Sequence, residues 1–175
     1  MRQSGRAEDS ELEIRAVLSD RLSTVDSQDS VVLSERHCLA HTLEELERHG
    51  EAQNELGQVV SSYAQILGQD NKQTRSASFC LARMLQVHGD KTEALQLYEQ
   101  VLSGETAEFG AHHIEPLMTG FRRDQCRLDM GILPPPEATA AFERTLSALS
   151  ALLDDDHRWI VTIREALDAS RIANG

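Results

Sequence analysis

Two histidines four residues apart, His37 and His41, are the first residues in this 175-residue chain whose spacing could do chemistry. On a helix that interval puts both side chains on one face, where two imidazoles can share a metal ion. No H-E-x-x-H string is present and spacing fixes no third ligand, so two polar surface groups are the simpler reading and no metal is expected. A nucleophilic pair of Cys38 with His37 or His41 would need a depressed thiol pKa, which nothing in the sequence demonstrates. Cys38 and Cys80 read instead as small buried hydrophobes. His112-His113 falls at a turn before a helix and reads as solvated. The run Asp154-Asp155-Asp156-His157 could attract a cation, but acidic residues favour a helix N-terminus and are expected to cap the last helix. Gly-rich phosphate loops, G-x-S-x-G and kinase signatures are missing. The expectation is a non-enzymatic chain with no catalytic residue and no cofactor.

Composition narrows the partners. Lys plus Arg number 17 against 29 Asp plus Glu, a net charge of −12, which argues against a nucleic-acid partner because phosphate binding needs clustered cations. Apolar residues make up 40% and charged residues 26%, the balance of a folded chain. Aromatics are only 4%, so the core must be built mainly from Leu, Ala, Val and Ile. The first thirty residues carry Arg2, Arg6, Glu8, Asp9, Glu11 and Glu13 without an apolar run, so no signal peptide is expected. No window approaches the roughly 18 apolar residues of a spanning helix, so no membrane partner is expected. Three widely spaced cysteines, Cys38, Cys80 and Cys126, form no C-x-x-C and suit a reduced, cytoplasmic protein.

The elements that would position these residues follow from an internal repeat of 42 residues. Cys38-Leu39-Ala40-x-x-Leu43 falls on Cys80-Leu81-Ala82-x-x-Leu85, and Glu51-Ala52 falls on Glu93-Ala94. Val59-Val60 falls on Val101-Leu102, and Leu67-Gly68 on Phe109-Gly110. Past Gly131 the register slips by two residues at Pro134-Pro135-Pro136, after which Phe142 takes the place of Tyr98. Within each period the apolar spacing is helical: Ala94, Leu97, Tyr98, Val101 and Leu102 form an i, i+3, i+4, i+7, i+8 stripe. Gly89 offers a left-handed helix cap before Asp90. Antiparallel helices are predicted at roughly 28–47 with 50–67, 72–88 with 91–109, and 113–130 with 135–153, with partial units near 7–24 and 157–172. Ala40, Ala52, Ala82 and Ala94 are predicted at close helix crossings, where a larger side chain would overpack by about 1–3 kcal/mol. Tyr98 and Phe142 are predicted to fill the space between pairs. The fold class is an all-α solenoid, read as a single repeat domain over 1–175 with units near 7–26, 27–68, 69–110, 111–153 and 154–172.

The string Leu67-Gly68-x-Asp70-x-x-x-Thr74, then Leu81-Ala82-x-x-Leu85-x-x-x-Gly89, then Glu93-Ala94-x-x-Leu97-Tyr98-Glu99-x-x-Leu102, resembles a tetratricopeptide repeat (TPR). It is most similar to the long variant of kinesin light chains and of bacterial and fungal multi-repeat proteins, which exceeds the ordinary repeat of about 34 residues by roughly two helical turns. Glu47 stands where that family usually has Gly, and Arg123-Asp124 replaces its Leu-Ala pair, so unit three is expected to be irregular or a terminal cap. The resemblance implies a right-handed superhelix whose first helices line a concave groove. Its groove positions correspond to Ser34, His37, His41 and Glu45, then Ser76, Phe79, Arg83 and Gln86, then Met118, Phe121, Arg122 and Gln125. In that setting His37, His41, Phe79, Arg83, Phe121, Arg122 and Gln125 would bind a protein or peptide segment. Phe79 and Phe121 would be the apolar floor, or else simply pack on a neighbouring helix, while Arg83 or Arg122 would pair a carboxylate. The Lys/Asn clamp of chaperone-binding relatives is not reproduced. Two alternatives stand beside this scaffold: a sensor fragment of a larger signalling ATPase or transcription regulator, and a small-molecule binder or enzyme built on the solenoid. Apolar faces on 7–24 (Leu12, Ile14, Val17, Leu18) and 159–172 (Trp159, Ile163, Leu167) suggest a homodimer through an end helix.

Overall fold

A computed structural model describes the backbone of residues 2–173 and the side chains of residues 6–170; side chains 171 and 172 of the last expected unit lie outside the described residues. Eight helices and no strand occur among the described residues. They are α1 (Arg2–Leu22), α2 (Ser30–Glu45), α3 (His49–Leu67), α4 (Lys72–His88), α5 (Lys91–Phe109), α6 (Ile114–Asp129), α7 (Pro135–Ser150) and α8 (Arg158–Ala173). The chain is all-α, as the apolar spacing requires. Two compact units divide it, Met1–Gly89 with α1 to α4 and Asp90–Gly175 with α5 to α8.

Caps repeat along with the sequence. Asp29 accepts a hydrogen bond from the Val31 amide (2.8 Å) to start α2, and Asn71, one period later, accepts from the Gln73 amide (2.9 Å) to start α4. His113, another period on, heads α6 without a side-chain cap bond. Asp90 heads α5 by accepting from the Thr92 and Glu93 amides, which hold its carboxyl below the ordinary carboxylate range. Helix α7 begins at Pro135, where proline is preset for the first helical position, 44 residues after the start of α5; the slip of two is therefore real. Helices α6 and α7 are regular, 16 residues each, so unit three is not irregular.

Left-handed backbone occurs at Gly68 (φ 89°), Gly110 (φ 81°), Gly131 (φ 70°) and Glu47 (φ 61°). Glu47 and Gly131 close α2 and α6 by the same motif: the amide after each reaches back to Leu43 or Arg127, both at 2.9 Å, and their own amides bond Glu44 (3.0 Å) and Leu128 (2.9 Å). The expected left-handed cap at Gly89 is corrected: its φ is −148°. An added Cβ there would lie 2.9 Å from Leu85 Cδ2 and 3.1 Å from Gln53 Nε2, so the ends of those two side chains would have to shift to admit it.

In the first unit Leu33, Val59, Tyr63 and Ala77 form one buried cluster, and Leu39, Ala40, Leu43, Ala52 and Leu56 are also buried. In the second, Phe121, Phe142, Leu149, Ile160, Ile163 and Leu167 are buried together, the two phenyl rings edge to face at 5.0 Å. Burying each such large side chain stabilises by about 1.5–3 kcal/mol. Ala40, Ala52, Ala82, Ala94 and Tyr98 are all fully buried, as the repeat demands. The apolar face expected to be open on α8 is covered, because Ile163 and Leu167 lie inside the unit. On α1, Leu12 (68% exposed) and Val17 (39%) remain at the surface, while Leu18 is buried.

The Asp154–His157 run caps α8 through its histidine and not through an aspartate: His157 Nδ1 accepts from the Trp159 amide at 3.2 Å, while Asp155 pairs with Arg164 at 2.5 Å. No described helix is long and apolar enough to cross a membrane.

Candidate functional site

Helix α2 carries His37 and His41 on one face, their rings stacked with centroids 5.0 Å apart and planes inclined by 24°. Helix α4 of the same unit brings two groups to that face. Cys80 places its sulfur so that one ligand atom from each of His37, His41 and Cys80 lies within 4.8 Å of the others. Arg83 donates both ends of its fork to Glu44 of α2, Nη1 to Oε1 at 2.8 Å and Nη2 to Oε2 at 2.5 Å. Glu44 Oε2 also lies 3.7 Å from His41 Nδ1.

The electrostatics follow from this packing. Burial, aided by the neighbouring His41, lowers the His37 pKa and keeps the ring neutral. Burial alone would raise the Glu44 pKa, but the hydrogen bonds and charge of Arg83, with His41, outweigh it and hold the carboxyl low. Burial pushes the Cys80 thiol up, Arg83 partly opposes this, and Glu44 adds to it. A thiol so placed is no ready nucleophile. Cys38, the thiol weighed for that role from the sequence, is exposed.

The remaining groove residues separate by burial. Phe79 is half-buried, and Ser34 and Ser76 are exposed on the α2 and α4 sides. Phe121 is only 1% exposed and packs on Phe142, so it supports its face from beneath and offers no floor to a ligand. Arg122 donates to Gln125 (2.9 Å), and its guanidinium lies 5.9 Å from the centre of the Trp159 ring. Arg158 covers the same ring at 4.4 Å. Where other first helices carry Leu-Ala, the second unit has the ion pair of Arg123 with Asp124 (2.7 Å). The pair lines an open cavity of about 380 Å³ with Leu102, Thr106 and Arg144.

Sequence reasoning did not place Glu44, Cys80 or Trp159 among the site residues. Glu44 and Arg83 are 39 residues apart, and so are His41 and Cys80. That separation is one period less three residues, about one helical turn, and it is the offset at which α2 and α4 meet.

Residues 80–115 match the tetratricopeptide repeat family. No curated protein sequence matches the chain. Among solved structures, the nearly identical TPR-like repeats of a kinesin-light-chain candidate from Podosopora anserina are similar at 23% identity and a TM-score of 0.77, covering 99% of this chain and 81% of that one. A singly substituted form of the same repeats is similar at 22% identity and 0.79, with the same coverage. BtubC (BKLC) from P. vanneervenii is similar at 16% identity and 0.80, covering 99% of this chain and 68% of its own. Residues 80–115 thus match a tetratricopeptide repeat, and the fold of the chain is that of kinesin-light-chain-like repeat arrays.

Proposed function

We propose, from the premise that this is a tetratricopeptide-repeat chain, that it is a non-enzymatic cytoplasmic adaptor holding a protein or peptide segment against its first-helix faces. The observation that carries this reading is the face of α2 and α4: His37, His41, Phe79 and the Arg83–Glu44 pair are half-buried on these two helices, which also carry the exposed Ser34 and Ser76. Fixed polar groups on a rigid surface suit recognition of an extended or helical segment. Arg122, Gln125 and Trp159 in the second unit form a comparable mixed surface of guanidinium, amide and indole. The favoured segment carries a carboxylate for the guanidinium groups and an aliphatic side chain for Phe79 or Trp159. Self-association through α1 is a subsidiary proposal, supported by the exposure of Leu12 and Val17.

Selection of peptides from a displayed library against the full chain tests the reading. Selected peptides are expected to bind the folded chain and to lose about tenfold in affinity, about 1.4 kcal/mol, with His41→Ala or Arg122→Ala. Failure to select any peptide, or binding indifferent to both substitutions, would overturn it.

A further inference from the structure

The two imidazoles on α2 and the thiol on α4 belong to neighbouring hairpins. They are 4 and 39 residues apart in sequence (His37 to His41, His41 to Cys80), and the fold gathers them with one ligand atom each within 4.8 Å. We propose that His37, His41 and Cys80 form a three-ligand site for a zinc-class divalent cation on the α2–α4 face of the first unit, with the fourth position open.

The donor set selects the ion. Two imidazoles and a thiolate are borderline-to-soft ligands that suit Zn²⁺ or Co²⁺ and reject Mg²⁺ and Ca²⁺. Tetrahedral zinc, with bonds of about 2.0–2.1 Å to nitrogen and about 2.3 Å to sulfur, separates its ligand atoms by roughly 3.3–3.6 Å. The three groups therefore need to draw in by about an ångström, which side-chain rotation supplies: His41 is 44% exposed and Cys80 turns about a single bond. Three protein ligands with a vacant position match reactive or ligand-accepting zinc sites rather than closed structural ones.

Neighbouring groups support the site. Glu44, fixed by Arg83, lies 3.7 Å from His41 Nδ1, near enough to back the imidazole as carboxylates commonly do behind a bound ion. The Cys80 thiol must give up its proton to bind: the S–H bond breaks, sulfur keeps the electron pair for the metal, and the proton leaves to water or buffer. Affinity therefore rises with pH. Cys38, the equivalent cysteine one period earlier, is exposed and outside the cluster. The bound ion would clasp α2 to α4 and stabilise the first unit by mass action.

The test uses the full chain, free of any histidine tag and of metal, titrated with Co²⁺ alone and then with Zn²⁺. Expected are one equivalent bound, the visible bands of tetrahedral cobalt, a near-ultraviolet thiolate-to-cobalt band, and loss of all bands as zinc displaces cobalt. Cys80→Ser should remove the charge-transfer band, Cys38→Ser should keep it, and His37→Ala or His41→Ala should weaken binding at least tenfold, with helicity checked by circular dichroism. Should Cys80→Ser lose helicity, His41→Ala decides, because that side chain is 44% exposed. Absence of a stoichiometric cobalt complex overturns the proposal, as does a band that survives Cys80→Ser, disappears with Cys38→Ser, or is untouched by both histidine substitutions. The site does not depend on the peptide reading, since metal binding is measured with no peptide present.

Discussion

Glu47→Gly is expected to stabilise the first unit. Glu47 is an exposed L-residue held at φ 61° in the cap of α2, and Gly131 makes the same two backbone bonds at φ 70° in the cap of α6. The left-handed conformation costs an L-residue about 1–2 kcal/mol. Glycine removes that cost but returns about 0.4–1 kcal/mol through the greater freedom of its unfolded chain. The difference favours the variant by about 0.5–1 kcal/mol, which for a chain of this size raises Tm by about 1–4 °C. Removing a carboxylate from a molecule of net charge −12 would itself relieve repulsion, so Glu47→Gln and Glu47→Ala serve as controls. Both lose the charge but keep the Cβ, and they should not reproduce the gain. Gly131→Ala, the reciprocal change, should destabilise by about 1 kcal/mol. Urea unfolding followed by far-ultraviolet circular dichroism gives these differences at constant m. A Glu47→Gly midpoint at or below that of Glu47→Gln, with m unchanged, would refute the reasoning.

Two further outcomes follow from the packing and the charges. Phe142→Ala should cost about 3–5 kcal/mol in urea unfolding, because it empties the space against Phe121 at the centre of the second unit; a loss under about 1 kcal/mol would show that the cluster collapses around the void. His37 has a folded pKa below its ordinary 6.5, so the unfolded chain binds more protons in that interval and stability falls as pH drops from 6.5 towards the folded value. His37→Gln should flatten that stretch of the stability–pH curve. It should leave the steeper loss below about 4.5, where the depressed Glu44 carboxylate takes up its proton; an unchanged curve near pH 6 would refute the assignment.

Helix positions were legible because the first two hairpins repeat their apolar stripe and their small residues, and both are consequences of burial. Ala40, Ala52, Ala82 and Ala94 sit at fully buried positions for that reason. Chain reversals were less legible. Gly89 and Glu47 are one period apart, yet the glycine is not left-handed and the glutamate is. Residue type marks where special backbone is allowed, whereas the route into the next helix decides whether it is used. The cap of α8 went the same way: three aspartates looked apt for the macrodipole, but the ring nitrogen of His157 stood at the geometric cap position.

Site residues were legible only in part, because a period reports equivalence whereas chemistry needs adjacency. Cys38 and Cys80 are equivalent by the 42-residue period, and equivalence suggested one buried role for both. Adjacency between α2 and α4 instead runs at the period less one turn. That offset brings Cys80 to His41 and Arg83 to Glu44, leaves Cys38 exposed, and explains why two different chemistries share one seam. Arg83 was expected to await a partner's carboxylate, yet Glu44 already holds it with both oxygens. An incoming acidic segment must therefore displace Glu44 or engage the pair from outside. Because Glu44 also stands 3.7 Å from His41 Nδ1, displacing it would remove the carboxylate that backs this imidazole. In the proposed site, metal occupancy and segment binding would then be coupled through one carboxylate, and by linkage each would change the affinity of the other by the same factor.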